Sequence, residues 1–460
     1  MKTLIRNRQK LFGTDGIRGT PGVYPLTDDM LAVIAQAVAQ KIISENGATR
    51  KKHRVVIGKD TRLSGDNIEG ILADSIRAFG VDVLIIGTIT TPGLSFFATD
   101  LKADVGIMIS ASHNKATDNG IKFFNGRGHK FSQTEEEAVE DIIFEDLVTK
   151  PHPRAKIKGK LIKVKDAQSR YGKFLASTVK GLDLTGYKVA LDCAWGAAAP
   201  FAKKIFTDLG AKVEAIHDKP SGDKVNEGGA IHPELLKKLV LETKADIGVA
   251  VDGDGDRGIL VDETGTIVDG DCTIAIVARY LKKKNCLRAN TVVGTVMSNL
   301  GLKVSLAEEG IKILCTNVGD KYVLESLLKN NLTLGGEQSG HIIFLDHLST
   351  PDGLLTALQM LRVMKEKDMS LSKLCKCMTK FPQILVNVKV KERKPFEEMP
   401  KVHTKLQDYN SRLKEDGRIL LRYSGTELLA RVMVEGRDRS EIETIANTLA
   451  SEIRQEIGAE

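Results

Sequence analysis

The sequence predicts an α/β protein of three similar α/β units with mixed, largely parallel sheets, plus a smaller C-terminal α+β domain, around a central cleft. Three observations predict it. Short apolar runs alternate with helical periodicity, the grammar of buried strands and crossover helices. That grammar occurs three times, each time ending in an unusual polar loop, and after Phe381 it gives way to longer strands and one closing helix. At 460 residues the chain also exceeds what a single hydrophobic core organises.

The first helix is expected from about Thr27, with Asp28 and Asp29 in its first turn and Leu31, Ile34, Ala35, Val38 and Ile42 on one face. Strands follow at 54–58, 81–86 and 105–109, with a helical stretch from Ile68 to Phe79 between them. The second unit has runs at 188–191, 212–215 and 246–251, and the third at 291–296, 311–315 and 332–334. The last strands discharge into Ser110 to Asn114, Asp252 to Arg257 and Gly335 to His341. Ligands of open α/β sheets sit beyond the carboxyl ends of strands, so these three loops are the place to look for chemistry. The C-terminal domain is expected from strands at 384–390, 418–423 and 430–435 and a helix burying Ile442, Ile445, Ala446, Leu449 and Ile453. Boundaries fall at 1–160, 161–263, 264–380 and 381–460, with the Lys- and Pro-bearing stretch Lys150 to Lys165 as the first linker.

Composition narrows the function. Hydrophobic residues are 42% and charged residues 28%, ordinary globular usage that excludes a disordered chain. The net charge of +7 is spread without long basic blocks, Lys282-Lys283-Lys284 reads as a solvated helix end, and aromatics are only 5%. No nucleic-acid partner is expected from this; an anionic small molecule suits the balance. The six cysteines form no CxxC pair, several sit in apolar stretches typical of buried free thiols, and a reducing compartment is expected, with no zinc site at Cys375 and Cys377. Met1 to Lys10 is basic but no signal-peptide core follows, and no run of apolar residues is long enough to span a bilayer. The expectation is a cytoplasmic protein without membrane attachment.

Asp252-Gly253-Asp254-Gly255-Asp256-Arg257 is the most informative segment. Three carboxylates at alternate positions repel one another unless a cation joins them, and oxygen-only ligation selects Mg²⁺, Ca²⁺ or Mn²⁺ over zinc. The glycines between them let the backbone curl so that all three converge. The segment contains a GxGxxG, but its aspartates would repel a pyrophosphate, and the following Ile259-Leu260-Val261 reads as a strand where a dinucleotide site needs a helix. It also resembles a calcium loop, with Glu263 at the twelfth position, which would suit a non-catalytic calcium-binding protein. Against that, Arg257 stands where such a loop needs glycine, and both flanks read as strands.

Ser112 and His113 lie in a polar turn after the buried run Gly106 to Ile109, and a turn is expected at Asn119-Gly120 just before Lys122, a cation able to neutralise phosphate. Arg422-Tyr423-Ser424-Gly425-Thr426-Glu427, followed by Arg431, combines hydroxyls, a glycine-opened backbone and guanidinium groups, the makings of an anion site. Gly335-Gly336-Glu337-Gln338-Ser339-Gly340-His341 is glycine-rich with too few cations for a phosphate cradle and better suits polyol hydroxyls, with Thr316 to Asp320 adding backbone contacts.

Together these segments resemble the α-D-phosphohexomutase family over nearly the whole chain, from Phe12-Gly13-Thr14-Asp15-Gly16-Ile17-Arg18-Gly19 to Arg431-Val432-Met433-Val434-Glu435-Gly436. Within it, Ser-Ala-Ser-His-Asn at the serine and Gly-Glu-Gln-Ser-Gly-His in the sugar loop are most similar to the bacterial branch that acts on glucosamine phosphates, the mannose and glucose mutases being the alternative. The resemblance implies four domains around one cleft: phosphoserine, metal-binding, sugar-binding and C-terminal phosphate-binding. It implies Ser112 as the phosphoserine, one Mg²⁺ on Asp252, Asp254, Asp256 and a Ser112-phosphate oxygen, and Arg18, His113 and Arg257 beside that phosphate. It gives Lys122 and His341 proton-transfer roles, and assigns Glu337 and Ser339, with Thr316 and Gly319, to the sugar. Arg422, Ser424, Gly425, Thr426 and Arg431 would take the non-reacting phosphate. The implied substrate is a sugar phosphate, with glucosamine 1,6-bisphosphate as intermediate and activator, in a monomer or homodimer serving cell-wall precursor synthesis. Lys115, Trp195, Pro351 and Leu428 depart from the family pattern at positions that are not proposed ligands. Charge accounting is consistent: three aspartates and a doubly ionised phosphoserine total about −5, which Mg²⁺ with Arg18, Lys122 and Arg257 would balance.

Overall fold

The computed structural model describes residues 10–13, 15–46, 52–146, 155–424 and 428–459. Its chain divides into two compact units, Met1–Met297 with Ile311–Lys376, and Ser298–Gly310 with Cys377–Glu460.

The first unit carries three sheets. The largest runs in the order Ile17–Gly19, Asn119–Asn125, Val105–Ile109, Arg54–Lys59, Asp82–Thr88, Leu161–Lys163. The second runs Ile267–Val268, Gly258–Asp262, Ile247–Val251, Lys188–Asp192, Lys212–Ile216, and the third Lys312–Thr316, Thr291–Thr295, Leu334–Gly336, Ile342–Phe344. A common kernel lies inside all three. Its first strand in the chain pairs in parallel with the second and third, and the third turns back into an antiparallel fourth. The three polar loops are therefore equivalent: each joins the third strand of its kernel to the returning fourth. The sequence reading found the repeat but missed the antiparallel return.

Periodicity translates directly into burial. Leu31, Ile34, Ala35, Val38 and Ile42 of the helix Asp28–Asn46 are all buried, packed with Ile57, Ile68 and Ile107 in one core. Each fully buried aliphatic side chain of this kind contributes about 1.5–3 kcal/mol. Strands Ile247–Val251 and Gly258–Asp262 are buried at every position, as their unbroken apolar runs require. One expectation fails: Asn119-Gly120 is no turn. Both residues sit in the strand Asn119–Asn125, paired with Gly19 and Arg18, because strands on either side recruit the segment. The chain reverses earlier, across 112–118.

The second unit has a three-stranded antiparallel sheet, Gln383–Lys389, Leu429–Gly436 and Gly417–Tyr423, packed on the helices Pro400–Leu413 and Arg439–Ile457. The closing helix buries the expected Ile442, Ile445, Ala446, Leu449 and Ile453. Ser298–Gly310 clusters here, anchored by Asn299, whose side chain bonds Phe381 N and O at 2.9 and 3.0 Å. Of the six cysteines only Cys193 is buried, while Cys272, Cys375 and Cys377 are half-buried and Cys286 and Cys315 exposed, so the expectation that several are buried holds for one. Among the described residues no helix is long and apolar enough to cross a membrane.

Candidate active site

Ser112 follows the buried strand Val105–Ile109 and is itself buried, in the left-handed region at φ +51°. A serine adopts that conformation only where its surroundings impose it. Here they do. Its N–H donates to Ser110 Oγ at 2.8 Å, and its carbonyl accepts from Arg62 Nη2 at 2.9 Å and Asn226 Nδ2 at 2.8 Å. Arg62, buried and paired with Asp60 at 3.0 Å, also donates to the carbonyls of Asn114, Lys115 and Asp118. A single guanidinium thus ties down the whole serine loop. Ser112 Oγ donates to Asp252 Oδ2 at 2.8 Å, joining residues 140 positions apart.

Asp252, Asp254 and Asp256 are all buried, with ligand atoms within 4.8 Å of one another. The two flanking strands are in register at Val251 and Gly258, so the loop is a tight connection in which Gly255 takes φ +71°. Thr91 fixes Asp254 with both N–H and hydroxyl, at 2.8 and 2.5 Å. The strand flanks exclude an EF-hand, and Glu263 is engaged elsewhere, accepting from Ser372 at 2.5 Å. The donor set fits a hard divalent cation. All the candidate ligands are carboxylate oxygens, and Asp254 Oδ1 is buried without a hydrogen-bond partner among the described residues.

The electrostatics follow from burial and mutual repulsion. Burial, then Asp256 and Asp254, push the Asp252 carboxyl up to about 7. Asp256 shows the opposite outcome: burial would raise it, but Lys122 and His341 hold it well below the ordinary range. Lys122 Nζ lies 2.9 Å from Asp254, 3.2 Å from Asp256 and 2.9 Å from Asp15. Burial alone would lower its pKa; the three carboxylates outweigh this and raise it well above the lysine range. In this arrangement Lys122 is an ammonium.

His341 is likewise charged, burial being outweighed by Asp256 and Glu337, with a pKa of about 10. It lies 2.9 Å from Glu337 and 3.2 Å from Asp256, and Ser339 Oγ is 3.3 Å away. Arg257 Nε is 3.2 Å from His341 Nε2. A doubly protonated ring cannot accept that hydrogen, so the carboxylates, not a hydrogen bond, hold these two cations together. His113, 3.4 Å from Ser112 Oγ, is neutral, its pKa driven to about 4 by burial and by Arg257 and Arg18.

The sequence-predicted residues of the first unit therefore converge. Ser112, His113, Lys122, the three aspartates, Arg257, His341, Glu337 and Ser339 form one contact network, and Arg18 joins it through Asn114 at 3.1 Å and an ion pair to Asp15. Gly319 N donates to Glu337 Oε1 at 2.9 Å, which places the loop after Thr316 against the loop that carries Glu337 and Ser339, while Thr316 Oγ1 itself bonds the carbonyls of Gly294 and Asn317. Gln338 turns away toward Asp269, at 3.3 Å.

Five residues escaped the sequence reading. Arg62 and Asn226 act on backbone carbonyls, and Asp15, Lys130 and Asp320 extend a chain of alternating charge. Lys130 bridges Asp15 at 2.7 Å and Asp320 at 2.6 Å, so charge alternates from Asp256 through Lys122, Asp15 and Lys130 to Asp320, beside Gly319. Asp15 and Asp320 carry a signal only as members of the N-terminal motif and of the stretch Thr316 to Asp320, not as charges in this chain.

In the second unit Arg422 and Arg431 face each other across antiparallel strands. Burial and Arg431 lower the Arg422 pKa, and Arg431 Nε is buried without a partner among the described residues. Ser424 is buried beside them in sequence; Gly425 and Thr426 lie outside the described residues. Three of the four departures from the family pattern stay outside this network with their side chains: Lys115 meets Arg62 through its carbonyl, Trp195 packs on His217, and Leu428 is exposed.

Comparison with known proteins places this geometry. Profiles of the phosphoglucomutase/phosphomannomutase family match in four pieces: alpha/beta/alpha domain I over residues 9–149, domain II over 169–265, domain III over 269–381 and the C-terminal domain over 385–452. The phosphoglucosamine mutase of Geobacter sp. (strain M21) is 47% identical over 454 residues, 98% of this chain and 99% of that protein. That of Chlamydia caviae is 45% identical over 459 residues, 99% of each. In fold the chain is similar to a phosphoglucomutase/phosphomannomutase family protein from Burkholderia thailandensis, with TM-score 0.80 at 24% identity over 97% of each chain. It is also similar to the Aspergillus fumigatus N-acetylphosphoglucosamine mutase solved with GlcNAc-6P and magnesium, with TM-score 0.67 at 18% identity over 99% of this chain and 98% of that one. Matched by that family's profiles along its length, and nearly half identical to full-length phosphoglucosamine mutases, the chain belongs to the phosphoglucomutase/phosphomannomutase family.

Proposed function

We propose that this protein interconverts glucosamine 6-phosphate and glucosamine 1-phosphate through a phosphoserine at Ser112 and a 1,6-bisphosphate intermediate, feeding amino-sugar nucleotides to cell-wall synthesis. The observation that carries the mechanism is the 2.8 Å bond from Ser112 Oγ to Asp252, which joins the nucleophile to the aspartate triad. Near-full-length identity of 47% to a phosphoglucosamine mutase supports the substrate. Asp252, Asp254 and Asp256 would hold one Mg²⁺, which when bound supplies charge neutralisation to the phosphoryl oxygens.

The chain's own residues do the rest. Phosphoryl transfer depends on in-line placement and on stabilising the equatorial oxygens. Arg62 and the left-handed turn fix Ser112 Oγ, and Arg18 and Arg257 bring guanidiniums for the phosphate. As phosphorus leaves Ser112 its Oγ–P bond breaks, a bond forms to the free sugar hydroxyl, and that hydroxyl loses a proton while Ser112 Oγ gains one. Lys122, held as an ammonium, gives the serine oxygen its proton and regains one from the sugar. Glu337 and Ser339, oriented by His341 and Gly319, meet the sugar hydroxyls. Arg422, Ser424 and Arg431, with Gly425 and Thr426, take the phosphate that is not reacting. The four sequence boundaries assign these tasks to phosphoserine, metal, sugar and phosphate domains.

Kinetics on glucosamine, mannose and glucose 6-phosphates, each primed with its 1,6-bisphosphate, test the substrate. Glucosamine 6-phosphate is expected to show the highest kcat/KM by at least about tenfold, the range a site gains by pairing with a group its competitor lacks. Equal values on the three sugars would defeat the glucosamine assignment. Ser112→Ala is expected to abolish turnover, and chelation of Mg²⁺ to do the same reversibly; a Ser112→Ala variant with near-normal rates would remove the phosphoserine.

A further inference from the structure

Ser112 and the three aspartates sit on different sheets of the first unit, so their separation is set by whatever joins the two loops. Arg62 cannot set it. Its partners, Asp60 and the carbonyls of residues 112, 114, 115 and 118, all belong to the serine loop and its own sheet. Asn226 is placed differently. It lies beyond the strand Lys212–Ile216 of the second sheet, buried, with φ +69°. Its Nδ2 donates to Ser112 O at 2.8 Å and Asn114 O at 3.0 Å, and its Oδ1 accepts from Gly253 N, between two of the aspartates, at 2.8 Å. Among the described residues no other side chain bonds the backbone of both loops.

The chemistry of this contact is specific to an amide. A flipped amide would point N–H at Gly253 N–H and oxygen at two carbonyls, so the network admits one orientation. Both hydrogens and the oxygen are used, and Ser112 O has both acceptor sites filled, by Asn226 and Arg62. The amide therefore works as a spacer of fixed length between the peptide that carries the nucleophile and the peptide that carries the triad.

We infer that Asn226 is a positioning residue that sets the reach of Ser112 Oγ to the aspartates, and that the rate of phosphoryl transfer at Ser112 depends on its amide. This rests on the reading of Ser112 as the phosphoryl carrier. A misplacement of about 1 Å in such a reaction costs about 100-fold. The sugar contacts proposed above lie on Glu337 and Ser339, so substrate affinity is not expected to follow.

Single-turnover transfer separates this role from a structural one. Enzyme labelled at Ser112 with ³²P from glucose 1,6-bisphosphate is mixed with saturating glucosamine 6-phosphate, and the rate constant and amplitude of label loss to sugar are read separately. Asn226→Gly keeps the left-handed backbone accessible while removing the amide. Its rate constant is expected to fall about 30- to 100-fold, with KM within about threefold of wild type. A residue needed only for folding would lower the amplitude and leave the rate constant, and that result overturns the inference. Asn226→Asp, which has the same shape, retains the acceptor for Gly253 N and loses both donors. It too must transfer slowly, and it supplies the readout if the glycine variant folds poorly; a wild-type rate constant in it also overturns the inference. Should wild-type enzyme pass no label from Ser112 to sugar, the functional reading itself fails, a result distinct from either.

Discussion

The first unit's aspartate triad and the second unit's arginine pair are both clusters of like charge, and the fold treats them in opposite ways. Around the triad, Lys122 pairs with Asp254 and Asp256, His341 with Asp256, and Thr91 donates to Asp254; only Asp252, which accepts from Ser112, still feels the repulsion of its two neighbours. The arginines have none. No carboxylate among the described residues pairs with Arg422 or Arg431, each sits opposite the other, and Arg431 Nε is left without an acceptor. A compensated cluster holds a rigid shape and can exchange one cation for another, whereas an uncompensated one gains only when an anion arrives. The triad is thus largely held without a ligand, whereas the pair keeps an unanswered positive charge, as the phosphate-binding role proposed for it requires.

Breaking the triad should have the largest effect. Asp254→Asn is expected to lower kcat by about 100- to 1000-fold, the range for removing one preorganised charged group from a reacting centre. Its effect on stability should be the reverse of the usual one. In chelator, Asp252→Asn relieves the repulsion that burial and two neighbouring aspartates impose, so its melting temperature should equal or exceed that of the wild type. Mg²⁺ should then stabilise the wild type more than the variant. A variant that melts several degrees lower in chelator would show that the triad is held together by something other than compensation.

For the arginine pair, Arg431→Gln removes a charged hydrogen bond worth about 2 kcal/mol, equivalent to about a 30-fold loss in kcat/KM. Because it also removes a like charge facing Arg422, melting should be unchanged or higher. Inorganic phosphate should raise the melting temperature of the wild type and not of the variant. If kcat/KM stays within about threefold, the pair is not a phosphate site, and the contrast between the two clusters loses its functional meaning.

What the sequence reveals about this contrast follows from how far each interaction reaches. The triad is legible because its three charges lie within five residues and nothing but a cation reconciles them. The three repeated kernels are legible as apolar runs, and the closing helix as a 3.6-residue period. Asn119-Gly120 misleads because a local turn signal competes with two neighbouring strands, and pairing wins. Arg62, Asn226 and Lys130 are silent for a different reason. Arg62 and Asn226 reach carbonyls of the serine loop 50 and 114 positions away and Lys130 a carboxylate 190 away, and a lone Arg, Asn or Lys carries no trace of that. The residues that hold the site in shape are thus harder to read than those that act in it, since ligands cluster in loops while their supports are scattered by the fold.

A third buried charge tests the idea with the smallest expected effect. Asp352 caps the helix Gly353–Lys367, accepting from Leu354 N at 2.8 Å and Leu355 N at 3.0 Å, with the Tyr171 hydroxyl on its other oxygen. Its partners are neutral donors, and no cation among the described residues pairs with it. Burial pushes its pKa up to about 6, the hydrogen bonds recovering only part of the cost. The sign follows from linkage. The folded protein binds this proton more tightly than the unfolded chain, so the contribution is fully present below about pH 4 and is lost as pH rises through 6. Asp352→Asn keeps an oxygen for the cap and removes the charge. Between pH 5 and pH 8 its melting temperature should therefore gain on the wild type by a few degrees, with activity nearly unchanged. An equal pH profile in the two proteins would mean that neutral donors stabilise this carboxylate as well as cations stabilise the triad. The distinction drawn between compensated and uncompensated charge would then have to rest on the arginines alone.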